Sequence, residues 1–175
     1  MSRSRTGKWV LLMVAGWLFG FGCTQGSDNR NDLASMKTAE VRVGDTVFQV
    51  WLAVTEDEHS RGLMQTPESA LAPIPPDSSR GLPAGTQRGM LFVFPDEQLR
   101  AFWMYNTIIP LDIAYVRGDG VIVKTYTMAP LETRTYPSVE PARFVLELRA
   151  GLLAELRIKP GDKVEIPESV LKASG

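Results

Sequence analysis

The chain has 175 residues, with 19 Lys and Arg against 20 Asp and Glu for a net charge of −1, 12 prolines and one cysteine. A single cysteine excludes an intramolecular disulfide, so stability must come from an apolar core. No basic stripe or Lys/Arg cluster is present, which argues against nucleic acid as a partner.

Arg3, Arg5 and Lys8 precede an uncharged apolar run over residues 9–22 that ends at Cys23. This is the form of an export signal. As a helix the run would be about 21 Å long, short of the roughly 30 Å hydrocarbon core, so residues 1–22 read as a signal peptide rather than a permanent span. Cys23 follows Gly20, Phe21 and Gly22 and resembles the lipobox cysteine of bacterial lipoproteins, although Gly20 stands where leucine is usual. Acylation there would hold the protein on a membrane by more than one chain. The alternative is cleavage by an ordinary signal peptidase, leaving a free thiol. The expected location is therefore a cell-membrane or outer-membrane lipoprotein facing the periplasm or exterior. Polar residues 24–38 read as a flexible tether, so residues 23–38 form the anchor and tether, 39–167 the domain and 168–175 a tail.

Residues 40–54 alternate apolar and polar around Gly44-Asp45, which predicts a hairpin with Phe48, Val50 and Leu52 on one face. Thr55 followed by Glu56, Asp57 and Glu58 predicts a capped short helix that ends near Gly62. His59, the only histidine, sits in that helix and reads as a solvated residue, since one imidazole without Cys or a second His makes a poor metal site. Residues 66–87 hold five prolines and read as a long loop. Strands are predicted at 89–94 and 101–104 with a turn at Pro95-Asp96-Glu97, at 111–116 and 121–128 around a Gly/Asp turn, at 144–148, and at 163–166 after Pro160-Gly161-Asp162. Gly151 opens a turn with room for one helical turn. Short strands at this spacing predict a mainly β, single-domain sandwich or barrel-like fold with one or two short helices.

Between Gly89 and Asp112 a tryptophan, two methionines, an asparagine and an aspartate lie among apolar runs, a mixture that suggests a pocket wall. Arg61, Asn106, Asp112 and Glu147 are each embedded in apolar sequence, where an ion is costly unless paired. A pair between Arg61 and Asp112 or Glu147 would meet that need as a structural clamp. The functional alternative makes Arg61 a planar donor, Trp103 a stacking face, and Asn106, Asp112 and Glu147 hydrogen-bond partners for a glycan or small polar ligand. Asp112 and Glu147 are also the only candidates for a glycosidase-like pair, and no nucleophile motif accompanies Ser60 or Ser138. Met64, Met90 and Met104 suggest a soft Cu(I) site, against the plainer reading of methionines packed on aromatics.

RGLM at 61–64, GMLFVF at 89–94, FWM-NT-IPLDIAYV over 102–116, VLEL-AG over 145–151 and PGDKV at 160–164 together carry a resemblance to the family called domain of unknown function 192. The resemblance implies a compact, mainly β domain, often exported, with no established activity. Two features depart from that pattern. Tyr105 stands where lysine is common, and the proline-rich segment lengthens a connection that is usually short. The reading is an exported, lipid-anchored β domain with a small-molecule or glycan pocket. The alternative is a structural or accessory lipoprotein that binds a protein partner.

Overall fold

The computed structural model describes residues 29–75 and 81–172. The signal-like run, Cys23, residues 24–28, part of the proline loop and the last three residues lie outside them. No helix among the described residues is long and apolar enough to cross a membrane.

β1 (Thr38–Val43) and β2 (Thr46–Ala53) form the expected hairpin, pairing Val43 with Thr46 and Thr38 with Trp51. β2 is buried on both faces, with Phe48, Val50 and Leu52 in one cluster and Trp51 and Ala53 in another. α1 (Glu56–Arg61) starts in a capping box. Glu58 N–H donates to Thr55 Oγ1 at 3.2 Å, and the Glu58 carboxylate accepts from Thr55 N–H at 2.8 Å. A 3-10 turn at Glu68–Leu71 interrupts the proline-rich loop and buries Leu71.

β3 (Gln87–Gln98) is one strand of 12 residues, so the turn expected at Pro95-Asp96-Glu97 does not form. Its pairing is irregular between Val93 and Gln98, where a proline that cannot donate costs the ladder little. β4 (Ala101–Phe102) is shorter than the strand expected there. β5 (Leu111–Val116) and β6 (Ile122–Met128) make the second hairpin. β7 (Tyr136–Pro137) pairs with β4 in a separate ribbon. β8 (Ala142–Arg149), α2 (Leu152–Glu155), β9 (Val164–Glu165) and α3 (Glu168–Leu171) complete the fold.

Seven strands form one sheet in the order β6-β5-β8-β3-β2-β1-β9, with β2 and β3 parallel and the other neighbours antiparallel. The parallel pair needs a long crossover, which α1 and the proline-rich segment supply. The sheet curls until its two edges meet. Val121 bridges Lys163, Ile122 N–H donates to the Asp162 carbonyl at 2.9 Å and Val164 N–H to the Gly120 carbonyl at 2.8 Å. Gly120 has φ +88°, and a Cβ there would stand 2.5 Å from the Val164 carbonyl oxygen, so closure requires glycine. The result is a mainly β, curled half-barrel.

Curling gives the sheet two unlike faces. The concave face gathers residues from both edges, including Val43, Ile122 and Val164, and is plugged by Leu152, Leu153, Ile158 and Val170. The convex face carries Trp51, Met90, Phe92, Ile113, Tyr115 and Val145 and is covered by loop residues such as Leu63, Met104 and Ile109.

The described part of the expected tether is docked, not free. Asn31 is 8% exposed, and its amide donates to the carbonyls of Glu58 at 3.0 Å and Gly62 at 2.9 Å. The Glu58 carbonyl already accepts from Gly62 N–H at 2.8 Å, so Asn31 adds a second donor there and supplies one to the Gly62 carbonyl past the end of α1. Leu33 and Met36 pack against the convex cluster.

Candidate functional site

Strand parity decides where the two buried carboxyl groups go. Directly opposed residues share a face, and successive residues alternate. Asp112 on β5 stands opposite Leu148 on β8, whereas Glu147 stands opposite Ile113 on β5 and Met90 on β3. Leu148 belongs to the concave cluster, and Ile113 and Met90 to the convex one. Asp112 and Glu147 therefore point to opposite sides of the sheet, and the glycosidase-like pairing is overturned.

Asp112 is fully committed. It accepts from Thr127 Oγ1 at 2.7 Å and from Leu153 N–H at 2.9 Å, and so caps α2 from a neighbouring strand. Arg61 pairs with neither carboxyl. Its guanidinium meets Asp57 at 3.0 Å, one turn back on α1, with both side chains well exposed, and donates to the Arg30 carbonyl at 3.4 Å. The near-surface partner one turn away wins because it requires no ion to be desolvated.

Glu147 is 4% exposed, and no hydrogen bond or ion pair reaches its carboxyl among the described residues. Burial, unopposed by any donor, pushes it up to about 8. The carboxyl borders a cavity of about 40 Å³ walled by His59, Arg61, Met64, Phe92, Phe102, Trp103 and Thr107. Gly62 makes the room. A Cβ there would stand 3.1 Å from the Phe92 ring and 3.9 Å from Glu147 Oε2, and its φ of +45° also favours glycine.

The cavity continues into a groove of about 300 Å³ that shares His59, Ser60, Phe102 and Trp103 and extends along Phe94, Leu99, Arg100 and Ala101. Trp103 is 51% exposed and stacks on Tyr105 with ring centroids 5.0 Å apart. Phe102 meets Phe92 edge to face at 4.8 Å. His59 is half-buried rather than solvated. Its Nε2 lies 2.9 Å from the Ala53 carbonyl, which fixes that nitrogen as a donor, and its ring sits 4.4 Å from Phe94. Burial lowers its affinity for a second proton.

The structure thus brings together Arg61, Trp103 and Glu147. Asn106 does not line the cavity. It occupies a left-handed turn at φ +54°, and its carbonyl accepts from Gln65 N–H at 2.9 Å, tying the 102–111 loop to the loop after α1. Met90 and Met104 are fully buried in the convex cluster, and only Met64 of the three methionines lines the cavity. His59, Phe92, Phe102 and Thr107 are wall residues that sequence reasoning did not select, although Phe92, Phe102 and Thr107 lie within the motifs quoted above. A larger groove of about 510 Å³ beside β1 and β9 is rimmed by Glu40, Arg42, Asp119, Lys163 and Glu165 and contains no buried polar side chain. The smaller cavity carries the distinctive chemistry.

Among solved structures, a Sinorhizobium meliloti protein provisionally described as a transcription regulator is 31% identical, with a TM-score of 0.64 over 75% of this chain and 95% of that one. A Novosphingobium aromaticivorans protein of unknown function is 33% identical, with a TM-score of 0.63 over 78% of this chain and 91% of that one. Among curated proteins none matches significantly. The DUF192 family model, described as "Uncharacterized ACR", matches residues 39–166, which reach from β1 through β9 and include every wall of the cavity. The chain belongs to the DUF192 family.

Proposed function

We propose that this protein is an exported, lipid-anchored domain that binds a small polar molecule, free or as the end of a glycan, in the cleft around Glu147. The observation that carries this reading is a buried carboxyl, 4% exposed and without a hydrogen-bond partner among the described residues, on a cavity that opens beside an exposed tryptophan. A buried polar group left unpaired by its own fold destabilises it, and an incoming ligand offsets that penalty. Trp103 offers a flat face to the body of the ligand, and Arg61 stands at the wall as a donor for an oxygen acceptor. With one carboxyl in the cleft and the other across the sheet, binding is a better account than two-carboxylate hydrolysis.

Cys23 is the anchor in this reading, and Asn31 is the point at which the chain after it docks on the domain. Seven residues separate the two, and the eight steps between them reach at most about 29 Å, so in this reading the cleft beside Gly62 is held close to the membrane. Cys23→Ser should abolish incorporation of labelled palmitate and leave the uncleaved chain.

The test of the pocket is a thermal-shift screen of the detergent-solubilised full chain against glycans, cell-wall fragments, amines and carboxylates. A compound that stabilises the wild type but not a folded Trp103→Ala variant supports the reading. A compound whose effect survives that substitution at full strength places binding elsewhere.

A second reading, an accessory lipoprotein with a protein partner, draws on a different observation. The large hydrophobic residues exposed among the described ones, Leu99, Trp103, Tyr105, Ile108, Leu131 and Val139, all lie on the β4–β7 ribbon and its flanks. Hydrogen bonds from Ser138 N–H to the Arg100 carbonyl and from Leu131 N–H to the Thr107 carbonyl hold those flanks together. Co-purification of one stoichiometric protein, lost on Ile108→Asp and Leu131→Asp, would favour it.

A further inference from the structure

We infer that the ligand presents a protonated primary amine to Glu147, so that the cavity is an ammonium site built from one carboxyl and aromatic walls. This names the ligand class for the cleft proposed above and rests on that reading.

Size is the first argument. A cavity of about 40 Å³ holds roughly three water-sized groups, so a sugar ring stays in the outer groove and only a terminal group reaches the carboxyl. The second argument is the set of donors. The protein directs no donor at Glu147, so a ligand that holds the carboxyl in its ionised form must bring the hydrogen it accepts. The third is the wall. Phe92, Phe102 and Trp103 line the space, and an aromatic face attracts a cation where it gives little to a neutral hydroxyl. A charge-assisted bond from an ammonium to a carboxylate is also stronger than a bond between neutral groups.

No cation of the protein already occupies this role. The titratable groups near the carboxyl are His59 and Arg61 from α1 and Tyr115 from β5. Arg61 is turned to Asp57 and the Arg30 carbonyl. His59 commits Nε2–H to Ala53, and burial disfavours its charged form. The Tyr115 hydroxyl donates to the Tyr136 carbonyl, and burial pushes its ionisation well above the usual phenol range. Of the groups around the cavity, Glu147 is the carboxyl that burial moves up to about 8.

The pH profile follows. The amine requires the ionised carboxyl, which the empty site holds protonated up to about 8. Affinity should rise about tenfold per pH unit up to that point, then decline above about 10 as a simple amine loses its own proton.

The experiment is a thermal-shift and calorimetric titration of the detergent-solubilised full chain with methylammonium, and with methanol as the neutral probe of equal size, from pH 6 to 10. The expected result is stabilisation by methylammonium that grows toward pH 8 and is absent in Glu147→Gln, a variant that keeps the shape of the uncharged acid. Equal stabilisation by methanol, flat in pH and dependent on Glu147, would overturn the ammonium assignment and keep the pocket. Methylammonium binding retained by Glu147→Gln would overturn the assignment of the group. Silence from methylammonium with a well-folded wild type would also overturn it, and the Trp103→Ala screen would then decide the pocket by itself.

Discussion

Asp112 and Glu147 are two buried carboxyl groups on neighbouring strands, and the fold treats them in opposite ways. Asp112 faces the concave side, where a threonine hydroxyl and a helix N–H saturate it. Glu147 faces the convex side, where the fold supplies burial and no donor. Burial alone does not mark a functional group, since the two are equally inaccessible. What separates them is whether the local backbone brings donors. On the concave side α2 arrives end-on and needs an acceptor for its N–H groups. On the convex side the covering loops present mainly apolar and aromatic side chains, none of which bonds the carboxyl, and the glycine at the end of α1 leaves the space open.

The largest expected effect is on pH dependence. In the unfolded chain Glu147 loses its proton near 4.5, whereas the fold retains that proton to about 8. Between those values the folded state holds one proton more, so raising the pH favours unfolding. The stability lost over that window is on the order of 4 kcal/mol, with no further loss above it. Urea unfolding at pH 5 and at pH 8.5 should show the decline in the wild type and not in Glu147→Gln. The carboxyl groups held low, Glu58, Asp119, Glu132 and Glu155, act below this window and in the opposite direction, and His59, also held low, opposes the decline within it equally in the wild type and in Glu147→Gln. A flat wild-type curve would mean that Glu147 has a donor after all.

Asp112→Ala should cost about 3 kcal/mol, since it strands the buried Leu153 N–H and removes the bond from the Thr127 hydroxyl. Ligand binding across the sheet should be unchanged in whatever fraction remains folded. A folded Asp112→Ala protein that had lost binding would erase the distinction between the two faces. Gly62→Ala comes next, at about 2 kcal/mol, from a left-handed φ together with a close approach to Phe92. It should also weaken the ligand by pressing that ring into the cavity. Chemical denaturation and a binding isotherm on the same sample separate the two effects.

Much of the β fold was legible because it is written locally. Alternation gave the β1–β2 and β5–β6 hairpins, and Thr55 with Glu58 gave the helix start. The site was legible only in part, because parity across paired strands is not local. Asp112 and Glu147 lie 35 positions apart, and a one-residue change in the β5–β8 register would bring them to the same face. The Arg61 partner was misassigned because hydrophobic flanks suggested burial, while the one-turn spacing to Asp57 offered a cheaper pair. The turn at Pro95 was expected from a residue that breaks regular strands, and its tolerance depends on irregular pairing visible only in the sheet. The tether composition said polar and mobile, and did not reveal that Asn31 would dock on two carbonyls at the end of α1.

Trp103→Ala should have the smallest effect on stability and still be decisive for binding. About half of the side chain already faces solvent, and its ring contact is with Tyr105, itself exposed, so truncation should cost no more than about 1 kcal/mol. The convex core beneath it, Phe92 and Met104 among others, does not depend on the indole to exclude water. A large aromatic side chain that contributes so little to the fold and borders both the inner cavity and the outer groove is placed to meet a ligand. Trp103→Phe should then retain part of the affinity, because a smaller ring face remains, while Trp103→Ala loses it. If Trp103→Ala unfolds the domain instead, the indole is a structural lid over Glu147, and the convex face is as closed as the concave one.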